Sequence, residues 1–461
     1  MRFLPEEQQR RLLAACYARS HLTPEQLWMR YFALGGSQGL LELDAYLNGL
    51  TTLPRVDRDM LAHAVNERLD EVAGPARAPY SHSVRDGRPV RGPLKALVDL
   101  LEGAHRAPPE RLPAVVAEAG RALDLRIGVY LADYDQRLLV PLRPGADEEL
   151  AIDSSVAGDV FRSAGTTVSR DGTLWTVLLD GVERLGVLEV VPLDGADVDD
   201  PILREQCQWL ATLLGHLVTV TTQYGDGLDV QRRRRHRGSP AELLWHSLPP
   251  LTGATERIVV GASVQPAYDL RGTVFDYALS ERRAQLAMFN GDASSAVVNA
   301  LSAHRAARRD GASLPDQYAA VGAELAGRHA VAGLVAELDL HTGVLQWLDA
   351  GHPAPVVVRG GSALPRVGPT PRQFAADARP RATEVRLEPG DVVAVYSPGL
   401  VETTDEGGEP FGHARVAEHL ERGAEALPPE IARLVTRAVI GHSGGELRHD
   451  AGILVARWQP R

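Results

Sequence analysis

Val392-Val393-Ala394-Val395-Tyr396 runs directly into Ser397-Pro398-Gly399-Leu400-Val401-Glu402, and the reading of this stretch decides the fold of the C-terminal half. Five consecutive apolar residues stopped by Ser-Pro-Gly read as a strand followed by a turn. Upstream, strands are expected at about 257–264, 273–280 and 284–290, then at Gly333–Asp339, Val344–Asp349 and Ala354–Arg359. His341-Thr342-Gly343 and Ala350-Gly351-His352-Pro353 supply the turns between the last three. Helical patterns cover 240–247, 293–310 and 315–328, two more helices follow Glu402, and Ile453–Trp458 is a last strand. Antiparallel strands with inserted helix pairs predict an α+β domain over 241–461, two sheets flanked by helices.

Outward from that domain, residues 223–240 read as a linker carrying the basic run Arg232-Arg233-Arg234-Arg235-His236-Arg237. Basic runs in acidic chains are ordinarily solvated or paired with neighbouring acids. Residues 93–222 predict a helix at 112–123, strands at Ile127–Leu131 and Leu138–Leu142 around the turn Asp133–Gln136, and a small helix near Ser154–Phe161. A hairpin, Leu174–Leu179 and Leu185–Val191, turns at Asp180-Gly181, and a long helix at 201–222 closes the segment. This order resembles a GAF domain, with Arg184-Leu185-Gly186-Val187-Leu188 the most family-like piece. The resemblance implies a sensor or dimerisation module, and a homodimer through it. No cysteine or histidine is placed for a tetrapyrrole or haem. Residues 76–92 are rich in Pro, Gly, Arg and Ser and read as a linker. Residues 1–75 read as a helical bundle. There Thr23-Pro24-Glu25-Gln26 forms a helix start with a capping box, and Leu27, Trp28, Tyr31 and Phe32 share one helix face.

The chain of 461 residues is long enough for about three domains. Its formal net charge of −11 argues against nucleic-acid and anionic-membrane partners. No apolar window reaches the 18 or so residues of a membrane span, and the N-terminus lacks the apolar core of a signal peptide. A cytoplasmic location is therefore expected, with Cys16 and Cys207 as two reduced thiols.

Further landmarks lie in order along the C-terminal domain: Ser247-Leu248-Pro249-Pro250-Leu251, Pro266-Ala267-Tyr268-Asp269, Val274-Phe275-Asp276-Tyr277, Asp349-Ala350-Gly351-His352-Pro353, Gly390-Asp391 and Gly408-Glu409-Pro410-Phe411-Gly412. Together with the 396–402 stretch they make residues 241–461 resemble the SpoIIE-type branch of the PPM (metal-dependent) protein serine/threonine phosphatases. The resemblance implies an α/β sandwich that hydrolyses phosphoserine or phosphothreonine. Two Mg²⁺ or Mn²⁺ ions held by four aspartates would activate a bridging water. It also implies a STAS-domain or other regulatory phosphoprotein as partner.

The four aspartate positions do not hold aspartate here. Thr273 stands at the first, Asn290 at the second, Pro398 at the third and His449 at the fourth. About four carboxylates would balance the charge of roughly +4 on two divalent ions; a neutral set does not. Histidine favours zinc-like ions over magnesium, and Pro398 offers no side-chain ligand. The remaining acids nearby are Asp276, Asp292 and Asp450, which are the residual catalytic candidates. Strand geometry points a residue two or three places away elsewhere, so inherited hydrogen-bonding roles are expected for Asp276 and Asp450. His352 is expected to be a turn histidine bonded to backbone. The expectation is a pseudophosphatase, a signalling regulator that binds a partner and needs no cofactor. The alternative is an active phosphatase with an altered Mn²⁺ or Mg²⁺ site, controlled by the GAF-like segment.

Overall fold

The computed structural model describes residues 6–73, 92–105, 107–142, 148–193, 197–325, 330–365, 374–375 and 380–460. The expected linker at 76–92 lies outside the described residues except for Gly92. Four helices open the chain: α1 (Glu6–Ser20), α2 (Pro24–Ala33), α3 (Leu40–Leu47) and α4 (Arg55–Ala73). The capping box at α2 forms as the sequence predicts. Thr23 Oγ1 accepts from the Gln26 amide at 3.3 Å, and Gln26 Oε1 accepts from the Thr23 amide at 3.0 Å. Leu27 and Tyr31 of α2 are buried against Leu13, Tyr46, Leu61 and Val65, whereas Phe32 is exposed.

The central segment begins with α5 (Pro93–Ala104), which the sequence reading missed, and α6 (Leu112–Ala122). The start signal of α5 is Pro93 at the first helical position, at the edge of the Pro- and Gly-rich stretch. Six strands follow: β1 (Leu125–Ala132), β2 (Leu138–Pro141), β3 (Leu150–Ala151), β4 (Thr166–Val168), β5 (Leu174–Asp180) and β6 (Glu183–Pro192), with α7 (Val156–Ser163) after β3. They form one antiparallel sheet in the order β3-β2-β1-β6-β5-β4. The last helix, α8 (Pro201–Thr222), buries Leu203, Cys207, Leu210, Leu214 and Val218 at spacings of three and four. Its Gly215 lies so close to the sheet that a Cβ there would meet Leu179 O at 2.0 Å.

Residues 223–240, expected as a linker, are built into the structure. They contain α9 (Gly227–Arg232) and lead into α10 (Ser239–Ser247). Three arginines of the basic run pair with acids: Arg233 with Glu242 at 2.7 Å and with Asp229, Arg234 with Glu149 at 3.1 Å, Arg235 with Asp135 at 3.2 Å. Arg237 stands 3.5 Å from Glu242 and is buried, only 4% exposed.

Two sheets make up the C-terminal sandwich. One has the order β15-β12-β11-β10-β9 and the other β14-β13-β16-β17-β8-β7. The strands are β7 (Thr252–Thr255), β8 (Ile258–Gln265), β9 (Thr273–Leu279), β10 (Arg283–Gly291), β11 (Val331–Asp339), β12 (Val344–Ala350), β13 (Val356–Arg359), β14 (Ser362–Ala363), β15 (Thr383–Arg386), β16 (Val392–Tyr396) and β17 (Ala451–Trp458). Helices α11 (Ser294–Arg309) and α12 (Leu314–Leu325) pack with the first sheet. The short α13 (Pro398–Glu402), α14 (Gly412–Arg422) and α15 (Pro428–His442) pack with the second. A buried ionic cluster joins α15 to the central segment. Glu430 accepts from Arg433 at 2.8 Å and from Arg184 of β6 at 3.3 Å, and Arg433 also reaches Asp153 at 2.8 Å. Such a cluster is held by its geometry, because each charge depends on the others for the hydration it has lost.

Candidate functional site

The four positions that the resemblance assigns to metal ligands, Thr273, Asn290, Pro398 and His449, lie close together. Thr273 opens β9 and Asn290 sits near the end of β10, directly opposite it in the antiparallel register. Cross-strand neighbours on one sheet face are close enough to bond, and Asn290 Nδ2 donates to Thr273 Oγ1 at 2.6 Å. From the facing sheet Gly452 of β17 approaches; a Cβ there would lie 2.7 Å from Thr273 Cγ2. Ser397 follows the end of β16 beside it. Its hydroxyl donates to Asp450 O at 2.9 Å and accepts from the Gly452 amide at 2.9 Å. Pro398 is the first residue of α13, and Gly399 packs so tightly on the 449–450 backbone that a Cβ would meet Asp450 O at 2.6 Å and His449 Cβ at 2.9 Å. Thr273 is fully buried, Asn290 half-buried and His449 exposed.

The three remaining acids go to three different places. Asp450 is buried, and its carboxylate accepts from the backbone amides of Arg271, Gly272 and Thr273 at 3.0, 2.8 and 2.9 Å. It thus binds the turn that opens β9. Burial pushes its carboxyl above the usual range, and the three amides act against that rise. Asp276 lies three residues past Thr273, hence on the opposite face of β9. There Arg305 and Arg308 of α11 clasp it at 2.7 and 2.6 Å. Asp292 is exposed just before α11. His352 is 2% exposed and its Nδ1 donates to Pro353 O at 3.1 Å; burial holds its pKa down at about 4.

The sequence reading missed two contributors. Ser397 stitches β16 to β17, and Arg305 with Arg308 neutralises Asp276. The second pair was visible as two arginines one helical turn apart, but only the packing of α11 on β9 shows what they face.

The residues present do not fit a pair of hard divalent cations. Magnesium and manganese need several anionic oxygens. Here Thr273 Oγ1 is engaged by Asn290, Pro398 offers no donor, and both nearby buried carboxylates are committed to amides or guanidinium groups. Among the described residues, no three His, Cys, Asp or Glu side chains gather as a metal-binding set.

The C-terminal sandwich has the PP2C-like (PPM) phosphatase fold. Residues 291–459 match the family model "Stage II sporulation protein E (SpoIIE)", which makes this part of the chain a SpoIIE-type domain. Similar solved structures include the RsbU and RsbW domains of Rv1364c from Mycobacterium tuberculosis, 20% identical, covering 44% of this chain and 62% of that one with a TM-score of 0.39. Another holds the PP2C phosphatase domain and a regulatory-domain fragment of SpoIIE from Bacillus subtilis, at 17% identity, 44% and 64% coverage and a TM-score of 0.40. A third is the SiaA-PP2C domain of Pseudomonas aeruginosa, at 18% identity, 43% and 85% coverage and a TM-score of 0.39. This chain spans less than two thirds of the length of the first two. No curated protein matches it. No helix among the described residues is long and apolar enough to cross a membrane.

Proposed function

We propose that this chain is a bacterial signalling regulator that uses a SpoIIE-type phosphatase fold to bind a regulatory phosphoprotein, of the STAS-domain class or another, and that its phosphatase activity is impaired. One observation carries the reading. The place of the first metal-binding aspartate is taken by a threonine hydrogen-bonded to Asn290, and the nearest buried carboxylate, Asp450, is spent on three backbone amides. A two-metal mechanism lowers the pKa of a bridging water through the charge of both ions. A neutral ligand set cannot hold two such charges close together. Thr273, Asn290, Pro398 and His449 are, on this reading, the remnants of the metal-binding positions. The central segment acts as a GAF-like sensor or dimerisation module in a cytoplasmic homodimer. The apolar side chains exposed on its helices, Leu97 and Leu101 of α5 and Ile202 and Trp209 of α8, support that role.

The test is hydrolysis of a phosphoserine protein and of p-nitrophenyl phosphate by the full chain with millimolar Mn²⁺, alongside Mn²⁺ titration by calorimetry. No turnover and no binding heat are expected. Mn²⁺-dependent turnover lost on substituting Asp450 or Asp276 would overturn the proposal in favour of a working phosphatase with an altered metal site.

A further inference from the structure

We propose that Arg237 is a latch through which the central sheet sets the position of the β8–β9 loop that leads into the Arg271–Thr273 turn. Its guanidinium lies over three aromatic rings, with centroid distances of 4.6 Å to Tyr134, 4.6 Å to Trp245 and 5.6 Å to Tyr268. These rings come from three separate parts of the chain. Tyr134 belongs to the β1–β2 turn of the central sheet, Trp245 to α10, and Tyr268 to the loop between β8 and β9. Tyr134 and Trp245 meet edge to face at 5.1 Å. Cation–π attraction strengthens as water is excluded, so a buried guanidinium among rings holds them together more firmly than an exposed one.

The latch connects on both sides. Toward the central sheet, Tyr134 is hydrogen-bonded to Asp229 of α9, and Arg232 Nε donates to Ala132 O at 2.8 Å. Toward the β8–β9 loop, Arg237 Nε donates to Ala267 O at 3.1 Å, and the Arg234 amide donates to the Tyr268 hydroxyl at 2.9 Å. Ala267 and Tyr268 are completely buried. Three residues past Tyr268, the chain enters the Arg271–Thr273 turn whose amides bind Asp450. A continuous series of contacts therefore runs from the β1–β2 turn through Arg237 to Asp450.

The arrangement favours two discrete positions over a gradual shift. Arg237 Nη1 and Nη2 make no hydrogen bond, and Glu242 Oε2 stands 3.5 Å from Nη1. A cation this buried and this sparsely bonded is stable only while the rings enclose it. Moving Tyr134 opens the enclosure, rehydrates the guanidinium and releases Ala267. Any event that displaces the β1–β2 turn, such as ligand binding or dimerisation of the central segment, would thereby loosen the turn at Thr273. Which activity the latch regulates rests on the proposed partner-binding role of the C-terminal sandwich; the coupling itself does not.

The test is amide hydrogen exchange of the full chain followed by mass spectrometry, comparing wild type with Arg237→Lys and Tyr134→Leu. The quantity read is the exchange rate of 266–273 divided by that of β16, which lies in the same domain. Both variants should raise this ratio by about tenfold, as opening of a local unit requires. An unchanged ratio overturns the proposal, whether neither region changes or both accelerate together. Phosphate-ester turnover by the wild type would overturn the proposed impairment of phosphatase activity and leave this ratio untouched.

Discussion

Asn290 and Thr273 face each other across β9 and β10 with 2.6 Å between Nδ2 and Oγ1, a neutral hydrogen bond where two carboxylates would repel each other unless cations lay between them. The pair closes the site by satisfying itself. Reversing it should therefore require acids at all four positions together. The quadruple variant Thr273→Asp, Asn290→Asp, Pro398→Asp, His449→Asp is expected to gain Mn²⁺ binding. Its midpoint of thermal unfolding should rise with Mn²⁺, reaching about 2.7 kcal/mol of stabilisation at a hundredfold excess over Kd. The wild type should show no Mn²⁺-dependent shift in the same differential scanning measurement.

Asp276→Asn should destabilise the protein without touching metal affinity. The substitution removes the buried negative charge and one of its two acceptor oxygens, and leaves Arg305 and Arg308 facing each other over β9. Breaking a buried pair by removing one partner costs about 3 kcal/mol or more. Urea denaturation at neutral pH should show this loss, and Mn²⁺ titration of the folded variant should match wild type. A Mn²⁺ response present in the wild type and lost in Asp276→Asn would instead place Asp276 in a metal site.

Asp450→Ala should loosen one turn. Three backbone amides lose a charged acceptor, each such bond contributing about 1.5 kcal/mol or more. The expected signature is faster amide exchange at Arg271, Gly272 and Thr273, with β10 and β17 remaining protected. Asp450→Asn, which keeps one acceptor oxygen, should fall between the two.

Acidification should cost stability through His304 and His352. Burial pushes both down to about 4, and at His304 the nearby Arg308 and Arg305 add to this while Asp276 opposes it. The unfolded chain takes up these protons near pH 6.5 and the folded chain only near pH 4. The folded state therefore binds fewer protons in that window, and stability falls as the pH drops from about 6.5 to about 4, on the order of 3 kcal/mol for each histidine. Glu183, pushed up to about 7 by burial, acts in the opposite sense, losing stability as the pH rises through 7. Urea unfolding midpoints measured across this range should fall less steeply for His304→Leu than for wild type.

The sequence by itself determined the parts that depend on local pattern. Apolar alternation and turn residues located most strands of the sandwich, Thr23 and Gln26 announced the α2 cap, and Thr273, Asn290, Pro398 and His449 showed that no carboxylate stands at these four positions. Charge is a property of composition, so it can be read before any folding is known. Direction and partnership cannot. That Asp276 faces α11, that Asp450 binds the amides of a turn 177 to 179 residues away, and that Arg237 is buried among rings from three separate segments were decided by packing alone. Arg237 shows the difference most plainly: within a run of four preceding arginines and a histidine it carries no local mark, and only the meeting of the β1–β2 turn with the β8–β9 loop removes it from water.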